Sequence, residues 1–217
     1  MNPSAAFFEA IQAGNLPEVQ ALLSAQPGLA LEKSPQGLSP LMLSLYHRQA
    51  EMVAILLAQG VPLDWYEAAA VGAVARLEAL LEERTERLDQ TAPDGFSALG
   101  LACFFGQQAS FDFLLVKGAD VNQASQNSFQ VRPIHSAVAA GNLSITLALL
   151  QAGADPNAAQ MQGVRPLHSA AHQGNLDMVE LLLNHGADPA LTTDDGKTAL
   201  DYARADGHTS VIARLEK

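Results

Sequence analysis

Three short segments, Arg132-Pro133-Ile134-His135, Arg165-Pro166-Leu167-His168 and Thr198-Ala199-Leu200-Asp201, begin 33 residues apart. A second marker, Gly-Ala-Asp, starts at Gly118, Gly153 and Gly186, spaced by 35 and 33 residues. Upstream, Ser39-Pro40-Leu41-Met42 and Ser97-Ala98-Leu99-Gly100 carry the first pattern again. A repeat of this length is one supersecondary unit that cannot bury its own apolar face. Units must therefore stack into an array, each packing on its neighbours, instead of closing a globule.

Each marker has a mechanical reading. Ser39, Ser97 and Thr198 can accept hydrogen bonds from the free amides of a helix start, and Pro40, Pro133 and Pro166 suit a first helical turn. Gly14, Gly72, Gly106, Gly141, Gly174 and Gly207 follow about one helix later, where a left-handed residue ends a helix. A second helix comes next, with apolar spacing such as Leu176, Val179, Leu182 and Leu183, and Gly60, Gly118, Gly153 and Gly186 stop it. Asp188-Pro189 and Asp194-Asp195-Gly196 supply turn chemistry leading to the next unit.

On these fragments the chain resembles the ankyrin repeat proteins. Arg165-Pro166-Leu167-His168-Ser169-Ala170, Gly118-Ala119-Asp120-Val121-Asn122 and Gly153-Ala154-Asp155-Pro156-Asn157 match the family's pattern. The resemblance implies an all-α solenoid: one domain over 1–217, a curved array with a concave inner face and a continuous apolar spine. Seven units are expected, at about 4–34, 35–64, 65–91, 92–126, 127–159, 160–192 and 193–217. The third departs from the pattern, running from Asp64 straight into Trp65-Tyr66-Glu67 with no projecting turn, which should leave a gap. Its second helix has Arg84 at the stop position and is expected to run on through Glu86. Arg48 replaces the helix-ending glycine of the second unit, and the fifth has two extra residues within Ser125 to Val131.

Charge narrows the partner. Lys and Arg number 12 against 23 Asp and Glu, a net charge of −11, which disfavours a polyanion such as nucleic acid. A protein partner that is basic or carries an exposed apolar segment fits better. The single cysteine, Cys103, excludes an internal disulfide framework and is expected to be buried and inert. The first four residues carry no basic cluster, and apolar stretches such as Ala98 to Phe105 fall short of the ~20 residues that span a bilayer. A cytoplasmic protein without membrane association is expected, a monomer rather than a homo-oligomer.

No glycine-rich phosphate loop, nucleophile elbow or paired-cysteine motif is present, so no enzyme, cofactor or metal is expected. The resemblance gives His135 and His168 a structural task, bonding turn backbone and tying units together. It also places partner contacts on the inner face, near the end of each first helix. Those positions include Tyr46 and His47, Phe104 and Phe105, and His172, with Phe96 in the turn before its helix. Trp65 and Tyr66 lie between the second and fourth units, so aromatic side chains gather mid-array. Phe104 and Phe105 fit two readings, exposed in the groove or packed on the third unit. Arg132 and Arg165, in the capping position, either bridge to turn aspartates and water or form a second contact patch. The expected function is a protein-binding scaffold or adaptor; the alternatives are a regulatory subunit of a separate enzyme and, more remotely, a small-molecule binder or enzyme using the Trp65 gap.

Overall fold

A computed structural model describes residues 2–217. Its first half holds α1 (Pro3–Gln12), α2 (Leu16–Ala25), α3 (Pro40–Tyr46), α4 (Ala50–Ala58), α5 (Trp65–Val71), α6 (Val74–Glu83) and α7 (Ala98–Phe104). The second half holds α8 (Gln108–Val116), α9 (Pro133–Ala139), α10 (Leu143–Gln151), α11 (Pro166–His172), α12 (Leu176–Asn184), α13 (Ala199–Asp206) and α14 (Thr209–Leu215). Among the described residues the only β pairing is a single bridge between Thr91 and Ser97. The architecture is an all-α solenoid. Odd-numbered helices pack on one another in succession as an inner row, and each is followed by an even-numbered partner in an outer row.

Local chemistry sets the boundaries. Ser39 Oγ accepts from Met42 N–H at 3.1 Å, Ser97 Oγ from Gly100 N–H at 3.1 Å, and Thr198 Oγ1 from Asp201 N–H at 3.3 Å. Asn142 and Asn175 cap the outer helices α10 and α12 in the same way, a signal the repeat markers did not carry. Arg48 takes φ 56° at the end of α3, doing the turn's work without glycine. The expected run-on of α6 does not occur. Arg84 is extended at φ −152°, and a short 3₁₀ turn follows over Thr85–Arg87.

The units are also tied edge to edge. Asn122 donates to Gly153 O at 2.9 Å and accepts from Asp155 N–H at 3.0 Å; Asn157 repeats both bonds with Gly186 and Asp188. A side-chain amide that bonds two backbone groups of the next unit fixes the stacking register, because leaving those groups unpaired costs about 1–3 kcal/mol each.

The apolar spine, expected to be continuous, is divided. One buried cluster runs from Phe7 to Leu56 and a second from Trp65 to Val211, with half-buried Leu63 touching both. Outer helices α4 and α6 barely meet at this seam. A small inner cluster, Met42, Ala70 and Leu101 with Tyr46, Tyr66, Phe96 and Phe105 against it, spans the seam on the other side.

The third unit lacks its projecting turn, as expected. Asp64 caps α5 directly, accepting from Tyr66 and Glu67 N–H, while Glu67 returns the bond by accepting from Asp64 N–H at 2.8 Å. The expected gap is absent. Leaving out one turn brings its neighbours together: a Cβ placed on Gly37 would lie 3.4 Å from Cβ of Pro93, so the turns of the second and fourth units touch across the third. Trp65 is 3% exposed and lies within the larger core. It is a packing residue, and neither a contact residue nor the wall of a binding gap.

Candidate inner-face contact surface

The aromatic residues that the sequence placed mid-array do converge. Tyr46, at the end of α3, lies 6.1 Å from Phe104 and 5.4 Å from Phe105, ring centroid to centroid, and the two phenylalanines meet edge-on at 5.1 Å. Adjacent residues at a helix end point in different directions, and here they divide the two readings between them. Phe105 turns inward onto Met42, Ala70 and Leu101, whereas Phe104 turns outward and keeps 39% of its surface. Tyr66 and Phe96 are half-buried beside them, and His47 is exposed.

Asp94, in the turn before α7, completes the cluster. Its Oδ2 accepts from the Tyr46 hydroxyl at 2.7 Å, and its Oδ1 accepts from Phe96 N–H at 3.2 Å. Burial, and then the adjacent Asp94 carboxylate, push the Tyr46 phenol well above its ordinary range, so it stays a neutral donor. Nothing in the spacing of residues pointed to Asp94. The contact spans 48 positions, from the second helix pair to the turn before α7.

The remaining candidates fall elsewhere. The guanidinium groups of Arg132 and Arg165 bond backbone carbonyls and not aspartates. Arg132 Nε donates to Asn122 O at 3.0 Å, and Arg165 Nη1 donates to Gly163 O at 2.9 Å and Thr192 O at 2.6 Å. Through these bonds they clamp the turns. His172 Nδ1 lies 2.7 Å from Asp206 Oδ2, and its carbonyl accepts from His208 Nε2 at 2.9 Å, which ties it to the last helix pair.

His135 and His168 do what the pattern implied. In each, Nδ1 accepts from the backbone N–H three residues earlier, at 3.1 and 3.0 Å, and Nε2 donates to Ala158 O at 2.9 Å or Leu191 O at 3.1 Å. Burial lowers both pKa values, that of His135 to about 4. The bonding assigns the Nε2–H neutral tautomer. Cys103 is buried, which raises its pKa and removes it from nucleophilic chemistry. Among the described residues, no three His, Cys, Asp or Glu side chains are grouped as a metal site would require. No described helix is long and apolar enough to cross a membrane.

The sequence reading missed one apolar patch. Phe129 and Met161, at the tips of two successive turns, are 51% and 38% exposed and joined by a backbone bond from Met161 N–H to Phe129 O at 2.9 Å. Gln130 and Gln162 hold φ 52° and 64° beside them. The two extra residues within Ser125 to Val131 were the available signal, since they lengthen the turn that carries Phe129.

Comparison with known proteins agrees with this geometry. A family model described as ankyrin repeats (3 copies) matches residues 65–160, and one described as ankyrin repeats (many copies) matches 149–203. Human BCL-6 corepressor-like protein 1 is 38% identical over 83 residues, which is 38% of this chain and 4% of that protein. The chain thus spans a small fraction of that curated relative. Ankyrin repeats as a class mediate protein–protein interaction and are typically non-enzymatic. With matches that together run from 65 to 203 and the repeated helix pairs, this chain belongs to the ankyrin repeat family.

Proposed function

We propose that this chain is a non-enzymatic scaffold that captures a partner protein on the face made by its inner-row helices and turns. The observation that carries the reading is the outward-facing Phe104 ring, held in place by Tyr46 and Phe105. A pre-ordered aromatic anchor loses little entropy on association, and desolvated aromatic anchors dominate interface energies. Each helix pair rests on its neighbours and is ordered before any partner arrives. The helix pairs are read as seven units of one domain, with this face concave.

Phe104 is the residue to test. The half-buried Phe105 supports the seam, so changing it would confound binding with stability. Phe104→Asp should weaken capture of the cellular partner by about 30-fold, the size of a ~2 kcal/mol hot spot, with an unchanged unfolding midpoint. Val116→Asp, at an 83% exposed outer-row position, should leave capture intact. Equal capture by wild type and Phe104→Asp would remove this surface from the account.

A further inference from the structure

Asp94 stands at the edge of the aromatic surface without a counter-ion. It is half-buried, and both oxygens accept from neutral donors, the Tyr46 hydroxyl and Phe96 N–H. Among the described residues it joins no ion pair, although seven are formed elsewhere. His47 and Arg48, the basic side chains nearest Tyr46 in the chain, are exposed and make no bond to it. The rings beside it also differ from others in this protein. Lys117 Nζ lies over Phe113 at 5.4 Å and Lys197 Nζ over Tyr202 at 6.0 Å, whereas no such cation covers Tyr46, Phe104 or Phe105 among the described residues.

A half-buried carboxylate beside an open aromatic face is complementary to one side-chain chemistry above others. A guanidinium is planar and weakly hydrated. It stacks on aromatic faces and offers several donors to a carboxylate at once, whereas an ammonium is a compact, strongly hydrated point charge. The three rings touch, at 5.1 to 6.1 Å between centroids, so a cation cannot lie between them and must seat on the outward face of Phe104. The chain's net charge of −11 favours the approach of a basic segment.

We infer that the partner anchors on this surface through an arginine side chain, stacked on Phe104 with its guanidinium paired to Asp94. The inference rests on the inner-face reading of function and narrows it to a basic partner segment.

The test uses the full chain and a hexa-arginine peptide, followed by amide NMR, with hexa-citrulline as the neutral isostere. Hexa-arginine should give saturable shifts centred on Asp94, Phe104 and Phe105, and hexa-citrulline should bind about tenfold more weakly or not at all. Asp94→Asn keeps an acceptor for Phe96 N–H and an amide for the Tyr46 oxygen but deletes the charge. It should weaken hexa-arginine about tenfold. Shifts spread over the acidic outer helices and unmoved by Asp94→Asn would overturn the arginine anchor, as would equal binding of the citrulline peptide, which needs no variant. If Phe104→Asp still weakens capture of the cellular partner, that failure belongs to the anchor alone; if capture is unchanged by Phe104→Asp, the inner-face reading falls with it.

Discussion

Trp65→Ala is expected to destabilise the protein by about 3–5 kcal/mol, a large share of the ~5–15 kcal/mol that holds a typical domain folded. Trp65 opens α5, is 3% exposed, and belongs to the larger core where it meets the seam with the first two helix pairs. Removing a ring enclosed this fully leaves a cavity that the packed neighbours fill only in part. Trp65→Phe should be far milder. The indole N–H has no protein acceptor, so deleting it leaves no buried group newly unpaired. Chemical denaturation of both variants checks this contrast. An alanine variant as stable as wild type would mean that the space around position 65 is open after all.

Acidification should weaken the stack before the carboxylates titrate. The pKa of His135 in the folded chain is lowered to about 4 from 6.5, and that of His168 is also lowered, because burial disfavours the charged ring and the neighbouring guanidinium of Arg132 or Arg165 acts in the same direction. The unfolded chain therefore binds protons at these sites first as pH falls below about 6.5, and folding stability declines from there towards pH 4. Above pH 7 both states are neutral and no penalty applies. For His135 alone the shift corresponds to about 3 kcal/mol at full extent. The exposed Glu86, Asp195 and Asp201 have lowered pKa values and lose their contributions at still lower pH, in the same direction. The double variant His135→Gln and His168→Gln should flatten the dependence between pH 6.5 and 5, above the carboxylate range. A denaturation midpoint that falls as steeply in the double variant as in wild type over that interval would assign the acid sensitivity to other groups.

What the sequence disclosed follows from what a repeat can encode. Ser39, Ser97, Thr198 and the left-handed glycines act within a few residues of themselves, so their spacing predicts helix starts and stops directly. His135 and His168 act one turn away on a repeated scaffold, and they too were legible. The seam was not. Contact of Gly37 with Pro93, and of Tyr46 with Asp94, depends on how far two turns close up when the one between them is deleted, a three-dimensional quantity that no local pattern carries. Trp65, which sequence alone had set in an open gap, is enclosed in the larger core. Arg132 and Arg165 bond carbonyls where turn aspartates were expected. Their side chains looked available because the threonine they replace would cap the helix, yet long guanidinium stems reach the neighbouring turn carbonyls instead. The aromatic surface was therefore predicted in composition, but its division into an outward Phe104 and a supporting Phe105 came only from packing.

Photo-crosslinking locates the partner most directly. A benzoylphenylalanine at position 104 should join the chain to a protein partner in its native cell, while the same group at the outer-row position 116 should not. Adducts formed from position 116 and none from 104 would contradict the claim that the inner-row face holds the partner.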